Sequence, residues 1–83
     1  MALSATEILE GLAEIVSEET GLPVESVKAE STFAEDLDID SLSMMTIMTY
    51  AEERFNVRIP DEEATSLSTV QDAVSFIEKA QEA

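Results

Sequence analysis

Apolar residues recur along the chain at helical spacing. Ile8, Leu12, Ile15 and Val16 form one stripe with Leu9 at its margin, while Glu7, Glu10, Glu14 and Glu18 point elsewhere. This predicts a helix over residues 4–20. Ser4-Ala5-Thr6-Glu7 opens it as a capping box, Gly21 stops it and Pro23 prevents its continuation. Gly11 inside it costs up to about 1 kcal/mol relative to Ala and reads as a tolerated small residue, with close packing as the alternative. Residues 22–40 form a connection longer than is usual between helices, with Val24, Val27, Phe33 and Leu37 as its expected apolar anchors. A second helix is predicted from Ser41, with Asp40 as N-cap, to Phe55 or Asn56, and Arg54 suits its last turn. Pro60 opens a brief helix at Asp61-Glu62-Glu63-Ala64. Thr69-Val70-Gln71-Asp72 starts a last helix whose face is Val70, Ala73, Val74 and Ile77. No segment reads convincingly as a strand. The expected fold is all-α: a small three-to-four-helix bundle with a long loop between the first and second helices.

The second helix is apolar on more than one side. At about 100° per residue, Met44, Ile47, Met48, Ala51 and Phe55 share the sector of a core face. Leu42, Met45 and Tyr50 fall outside it. Tyr50 alone is an ordinary exposed aromatic. Leu42 with Met45, on the side toward which Ser41 points, reads as a small docking patch, and Met suits a surface that meets several partners.

Composition narrows the function. Of 83 residues, 4 are Lys or Arg and 19 are Asp or Glu, a net charge of −15, yet 45% are hydrophobic. Residues 1–83 are therefore expected to form one domain with a modest core rather than a disordered acidic tail. Such an anion is a poor ligand for nucleic acid or anionic lipid, and its expected partners are basic protein surfaces. There is no Cys and no His, which excludes disulfides, thiolate or imidazole metal sites, and any nucleophile that needs a His base. No apolar run approaches a membrane span, and residues 1–10 lack the features of a signal peptide, so the expected location is the cytoplasm. The charge and the small apolar patch favour a monomer.

Ser41, in the first turn of a helix after a long loop, presents a hydroxyl beside free amides and the positive end of the helix dipole. An anion attached there would be stabilised. Taken alone, the residue is equally an ordinary first-turn serine. The wider segment says more. Asp36-Leu37-Asp38-Ile39-Asp40-Ser41-Leu42, then Met45, Glu52-Glu53-Arg54-Phe55, Val57-Arg58-Ile59-Pro60-Asp61-Glu62-Glu63 and Leu67-Ser68-Thr69-Val70-Gln71-Asp72 follow one another in order and spacing. Together they resemble the acyl carrier protein family across nearly the whole chain. The wording around Ser41 looks most like the discrete actinobacterial carriers of type II fatty acid synthesis.

The resemblance implies that Ser41 carries 4′-phosphopantetheine, delivered from coenzyme A by a phosphopantetheinyl transferase. The arm's thiol would hold the growing acyl chain as a thioester and so import the sulfur that the composition lacks. The carrier would catalyse nothing itself. It would present the chain to malonyl transferase, ketoacyl synthase, reductase and dehydratase enzymes. Partner docking would use Asp36, Asp38, Asp40, Leu42, Met45, Glu52 and Glu53. An acyl-chain pocket would be lined by Phe33, Ile47, Ala51, Ile59, Ala64, Leu67, Ala73 and Ile77, which double as core. Glu7, Glu10, Glu14, Glu78 and Glu82 are expected only to keep the surface solvated. Three positions depart from the family pattern: Asp38 stands where a glycine is usual, and Ser43 and Thr46 replace residues that are often acidic.

Other readings compete. Asp36, Asp38 and Asp40 match the first, third and fifth positions of an EF-hand loop, but Ser41 stands at the glycine position and Ile47 at the final glutamate, so no dedicated metal site is expected. An acidic interaction domain that is never modified would share the fold and charge, but would bind its partners equally well with Ser41 replaced by Ala. A polyketide or D-alanyl carrier stays open as well. An enzyme is the least supported class, since a domain this small offers no evident cleft with two converging acids.

Overall fold

A computed structural model describes residues 3–82, with side chains through Gln81. Four α-helices follow in order: α1 (Ala5–Thr20), α2 (Ser41–Phe55), α3 (Asp61–Ala64) and α4 (Val70–Glu82). A single 3-10 turn, Val24–Ser26, lies in the first connection. The all-α expectation holds, and so do the helix boundaries. α1 packs against both α2 and α4, and α3 packs on α2.

The helix ends follow from local chemistry. The Ser4 hydroxyl accepts from the Glu7 amide, and the Glu7 carboxylate accepts from the Ser4 amide. Gly21 ends α1 at φ 82°, the left-handed conformation that favours glycine. Asn56 ends α2 at φ 55°. At the start of α4 the Thr69 hydroxyl accepts from the Asp72 amide, while Asp72 Oδ2 takes the amides of both Ser68 and Thr69.

All five residues of the expected α2 core face are buried. They meet Ile8, Leu12, Ile15 and Val16 of α1 and Val70, Ala73, Val74 and Ile77 of α4 in one cluster. Ile8, Leu12, Ile47 and Ile77 are wholly excluded from solvent. Burying side chains of this size contributes about 1.5–3 kcal/mol each. Leu3 on the approach to α1 exchanges two hydrogen bonds with the Gln81 side chain, tying the two ends of the described chain together.

The long connection departs from expectation at one anchor. Val27, Phe33 and Leu37 are buried, but Val24 lies in the 3-10 turn and is 46% exposed. Ile39 is an anchor that the hydropathy pattern did not single out. The connection is stitched to the start of α4 by an isolated antiparallel bridge between Thr32 and Thr69. There the Phe33 amide donates to the Ser68 carbonyl (3.0 Å) and the Val70 amide to the Ser31 carbonyl (2.9 Å). Ser31, buried, accepts from the Lys28 amide. No buried side-chain polar atom among the described residues lacks a partner.

Two expectations about α1 are corrected. Gly11 is not merely tolerated: a Cβ there would sit 2.6 Å from Cζ of Phe55, so the missing side chain is what lets the ring lie against α1. Glu14 does more than solvate the surface, since it pairs with Arg54 across the α1–α2 contact. Both groups are about half exposed, so the pair is worth at most about 1 kcal/mol. Glu7 is engaged in the capping box that the sequence predicts. Glu10 is exposed and Glu78 half-buried, while the Glu82 side chain lies outside the described residues.

Gly11→Ala sets a gain in helix propensity of about 1 kcal/mol against an overpacking cost of about 1–3 kcal/mol. The contact is expected to win, lowering the denaturant midpoint by an amount equivalent to about 1 kcal/mol. A raised midpoint would mean that the Phe55 ring yields freely.

Candidate functional site

Ser41 is the first residue of α2 and is exposed. The preceding Asp40 has extended backbone and acts as the cap: its carboxylate accepts from the Ser43 amide (2.8 Å) and its carbonyl from the Met44 amide (2.9 Å). The Ser41 hydroxyl is thereby left out of the capping scheme. Among the described residues, neither that hydroxyl nor the backbone N–H groups of Ser41 and Leu42 have a partner. They present donors and the positive helix end to the space where a phosphate ester on Ser41 would lie.

Ser41 and Asp40 also border a cleft of about 390 Å³. One side of it is the turn from Thr32 to Glu35, another is formed by Ala64, Thr65, Leu67 and Ser68, and Ile39, Met44 and Met45 complete it. A volume of this order suits a small organic group. Of the residues expected to line an acyl pocket, Phe33, Ala64 and Leu67 do line this cleft. Ile47, Ala51, Ile59, Ala73 and Ile77 do not. They sit in the core at 0–4% exposure and have no surface in the cleft. Ile39 and Met44 were missed as lining. Met44 lies one helical turn after Ser41, and that spacing alone could have flagged it.

The residues expected to dock partners divide by what their side chains already do. Leu42 is 79% exposed and Met45 40% exposed, and with Glu53 they share one face of α2. Glu53 is exposed. Glu52 is half-buried, and its carboxylate accepts from the Ile59 amide (2.7 Å), bracing the link after α2. Asp40 is engaged as the cap. Asp36 exchanges hydrogen bonds with Thr32 in the loop. Thr46, at one of the positions departing from the family pattern, donates its hydroxyl to the Leu42 carbonyl of its own helix. Tyr50 is exposed as expected. Asp36, Asp38 and Asp40 do not converge: among the described residues no three such side chains gather into a group that could hold a metal ion.

Asp38 is exposed and adopts φ 52°. The departure from the family's glycine therefore falls where the backbone is left-handed. Asp tolerates that region better than most residues, at some cost.

An exposed serine thus stands at a donor-rich helix start beside a largely apolar cleft. The family described as "Phosphopantetheine attachment site" matches residues 10–77. The acyl carrier protein of Kineococcus radiotolerans is 65% identical over 78 residues, covering 94% of this chain and 96% of its own. That of Beutenbergia cavernae is 63% identical over 81 residues, covering 98% and 99%. The crystal structure of the acyl carrier protein from Thermotoga maritima superposes with a TM-score of 0.82 at 32% identity, covering 94% of this chain and 91% of that one. The chain belongs to the acyl carrier protein family. It is a carrier rather than a catalyst, and its cofactor is 4′-phosphopantetheine.

Asp38→Gly removes a left-handed penalty of about 1–2 kcal/mol and returns part of it as unfolded-chain entropy. The melting temperature is expected to rise by an amount equivalent to about 0.5 kcal/mol. Asp38→Val should lower it.

Proposed function

We propose that Oγ of Ser41 is the attachment atom, and that the chain carries growing fatty acyl groups in the discrete bacterial manner. The observation that carries this reading is the position of Ser41: its unengaged hydroxyl is at once at the free N–H groups of α2, at the mouth of the cleft and beside Leu42 and Met45. When bound, the arm supplies a terminal thiol to a chain that has none.

The chain's own residues do the rest. The amides of Ser41 and Leu42 receive the phosphodiester. Phe33, Ile39, Met44 and Leu67 exclude water from the first carbons of the cargo, a burial favourable by about 0.8 kcal/mol per methylene. Leu42 and Met45 give an apolar footing to successive partners: phosphopantetheinyl transferase, malonyl transferase, ketoacyl synthase, reductase and dehydratase. The carboxylate of Glu53 steers their basic surfaces, an effect screened by salt. Residues 1–83 act as one monomeric carrier domain in the cytoplasm. No helix among the described residues is long and apolar enough to cross a membrane.

Incubation with coenzyme A and a broad-specificity phosphopantetheinyl transferase is expected to add one phosphopantetheine to the parent by intact mass. Ser41→Ala should take none, with its circular dichroism unchanged because Asp40 is the cap. Addition to Ser41→Ala would move the attachment elsewhere. No addition to the parent, with a known carrier modified alongside, would favour an unmodified interaction domain. Glu53→Lys is expected to slow a cognate ketoacyl synthase at low salt and to match the parent at high salt. Equal rates at low salt would remove Glu53 from the docking face. Glu52 is unsuited to this comparison, because its loss also strips the Ile59 amide of its partner.

A further inference from the structure

The cleft has two walls, the turn Thr32–Glu35 in the long connection and the segment Ala64–Ser68 after α2. The first wall carries a reciprocal pair of hydrogen bonds. The Thr32 amide donates to Asp36 Oδ2 (2.9 Å), and the Asp36 amide donates to Thr32 Oγ1 (3.0 Å). Just beyond this ring the Leu37 amide donates to the Thr32 carbonyl (3.0 Å), and the Ile39 amide donates to the Phe33 carbonyl (2.8 Å). Phe33, Leu37 and Ile39 are thereby turned into the core, and Phe33 and Ile39 reach the cleft. Thr32 is also the residue paired with Thr69 in the bridge that joins the two walls. The closure of the turn, through the Thr32 side chain, and the bridge between the walls, through the backbone on either side of it, thus meet at one half-buried residue.

The placement of Asp36 is informative. It is an exposed acid five residues before Ser41, where a docking role was expected, yet its carboxylate is spent on the Thr32 amide. The crest of the turn, Ala34, Glu35 and Asp36, is exposed between buried anchors, and a side-chain clip opposes its local opening.

We infer that Thr32 and Asp36 are positioning residues for the cargo. Their paired hydrogen bonds hold the outer wall of the cleft and so govern how well an acyl chain is kept from water. This rests on the reading of the cleft as the shelter for that chain. Among the described residues the side chains of the pair hydrogen-bond only within the turn and not to Ser41, α1 or α4, so their loss is expected to loosen the grip while leaving the bundle folded.

The test loads acetyl- and octanoyl-phosphopantetheine onto the parent, Thr32→Val, Thr32→Ser and Asp36→Ala. Thioester cleavage by hydroxylamine is followed by intact mass, and melting by circular dichroism. The parent is expected to protect octanoyl relative to acetyl. Thr32→Val and Asp36→Ala should cleave octanoyl about fivefold faster, the equivalent of one hydrogen bond, with acetyl unchanged. Thr32→Ser, which keeps the hydroxyl, should retain protection. Full octanoyl protection in both Thr32→Val and Asp36→Ala would overturn the assignment. So would loss of cooperative melting in both, which would make the pair a prop of the whole fold. Octanoyl cleaved as fast as acetyl in the parent would instead overturn the shelter reading, and the positioning role with it.

Discussion

The long connection between α1 and α2 has to cross the bundle without a helix to satisfy its backbone. That requirement shapes everything around Ser41. The solution is a series of small closures: Ser31 onto the Lys28 amide, the Thr32–Asp36 pair, and the bridge to Thr69. Each anchors a hydrophobic residue, so Val27, Phe33, Leu37 and Ile39 descend into the core in turn. The cleft is the space left between this path and α3. Asp40, where the path ends, sets the direction in which α2 begins.

At the start of α2, the cap and the unengaged hydroxyl belong to neighbouring residues. A serine at the N-cap would have its hydroxyl tied to an amide. With Asp40 in that role, Ser41 is one step inside the helix, where its hydroxyl is idle and the surrounding donors are not. The helix can then be apolar on two sides without contradiction. One side is buried with α1 and α4, and the other leaves Leu42 and Met45 uncovered beside Ser41.

Much of this was legible in the sequence because it is local. Capping boxes, the glycine stop after α1, the five-residue core face of α2 and the exposed pair beside Ser41 follow from spacing along a single helix. What escaped depends on residues distant in the chain. Nothing near Gly11 announces Phe55, and nothing near Glu52 announces the Ile59 amide. The cleft was only partly foreseen for the same reason. Ile47, Ile59 and Ile77 are as apolar as Ile39, and only the path of the connection decides which of them meets open space. Hydropathy alone makes Val24 an anchor, but it falls in a 3-10 turn and is exposed.

The reciprocal hydrogen bonds between Leu3 and Gln81 bring the beginning and end of the described chain side by side. A bundle in which Leu3 and Gln81 lie side by side can be spliced into another protein's surface loop at those positions without stretching its host. It can also be cut open elsewhere and rejoined at its ends by a short linker. The exposed stretch around Val24, remote in sequence from Ser41, is a natural place for such a cut. Geometry of this kind makes the bundle portable: it can be tethered or grafted while Ser41 keeps its own surroundings.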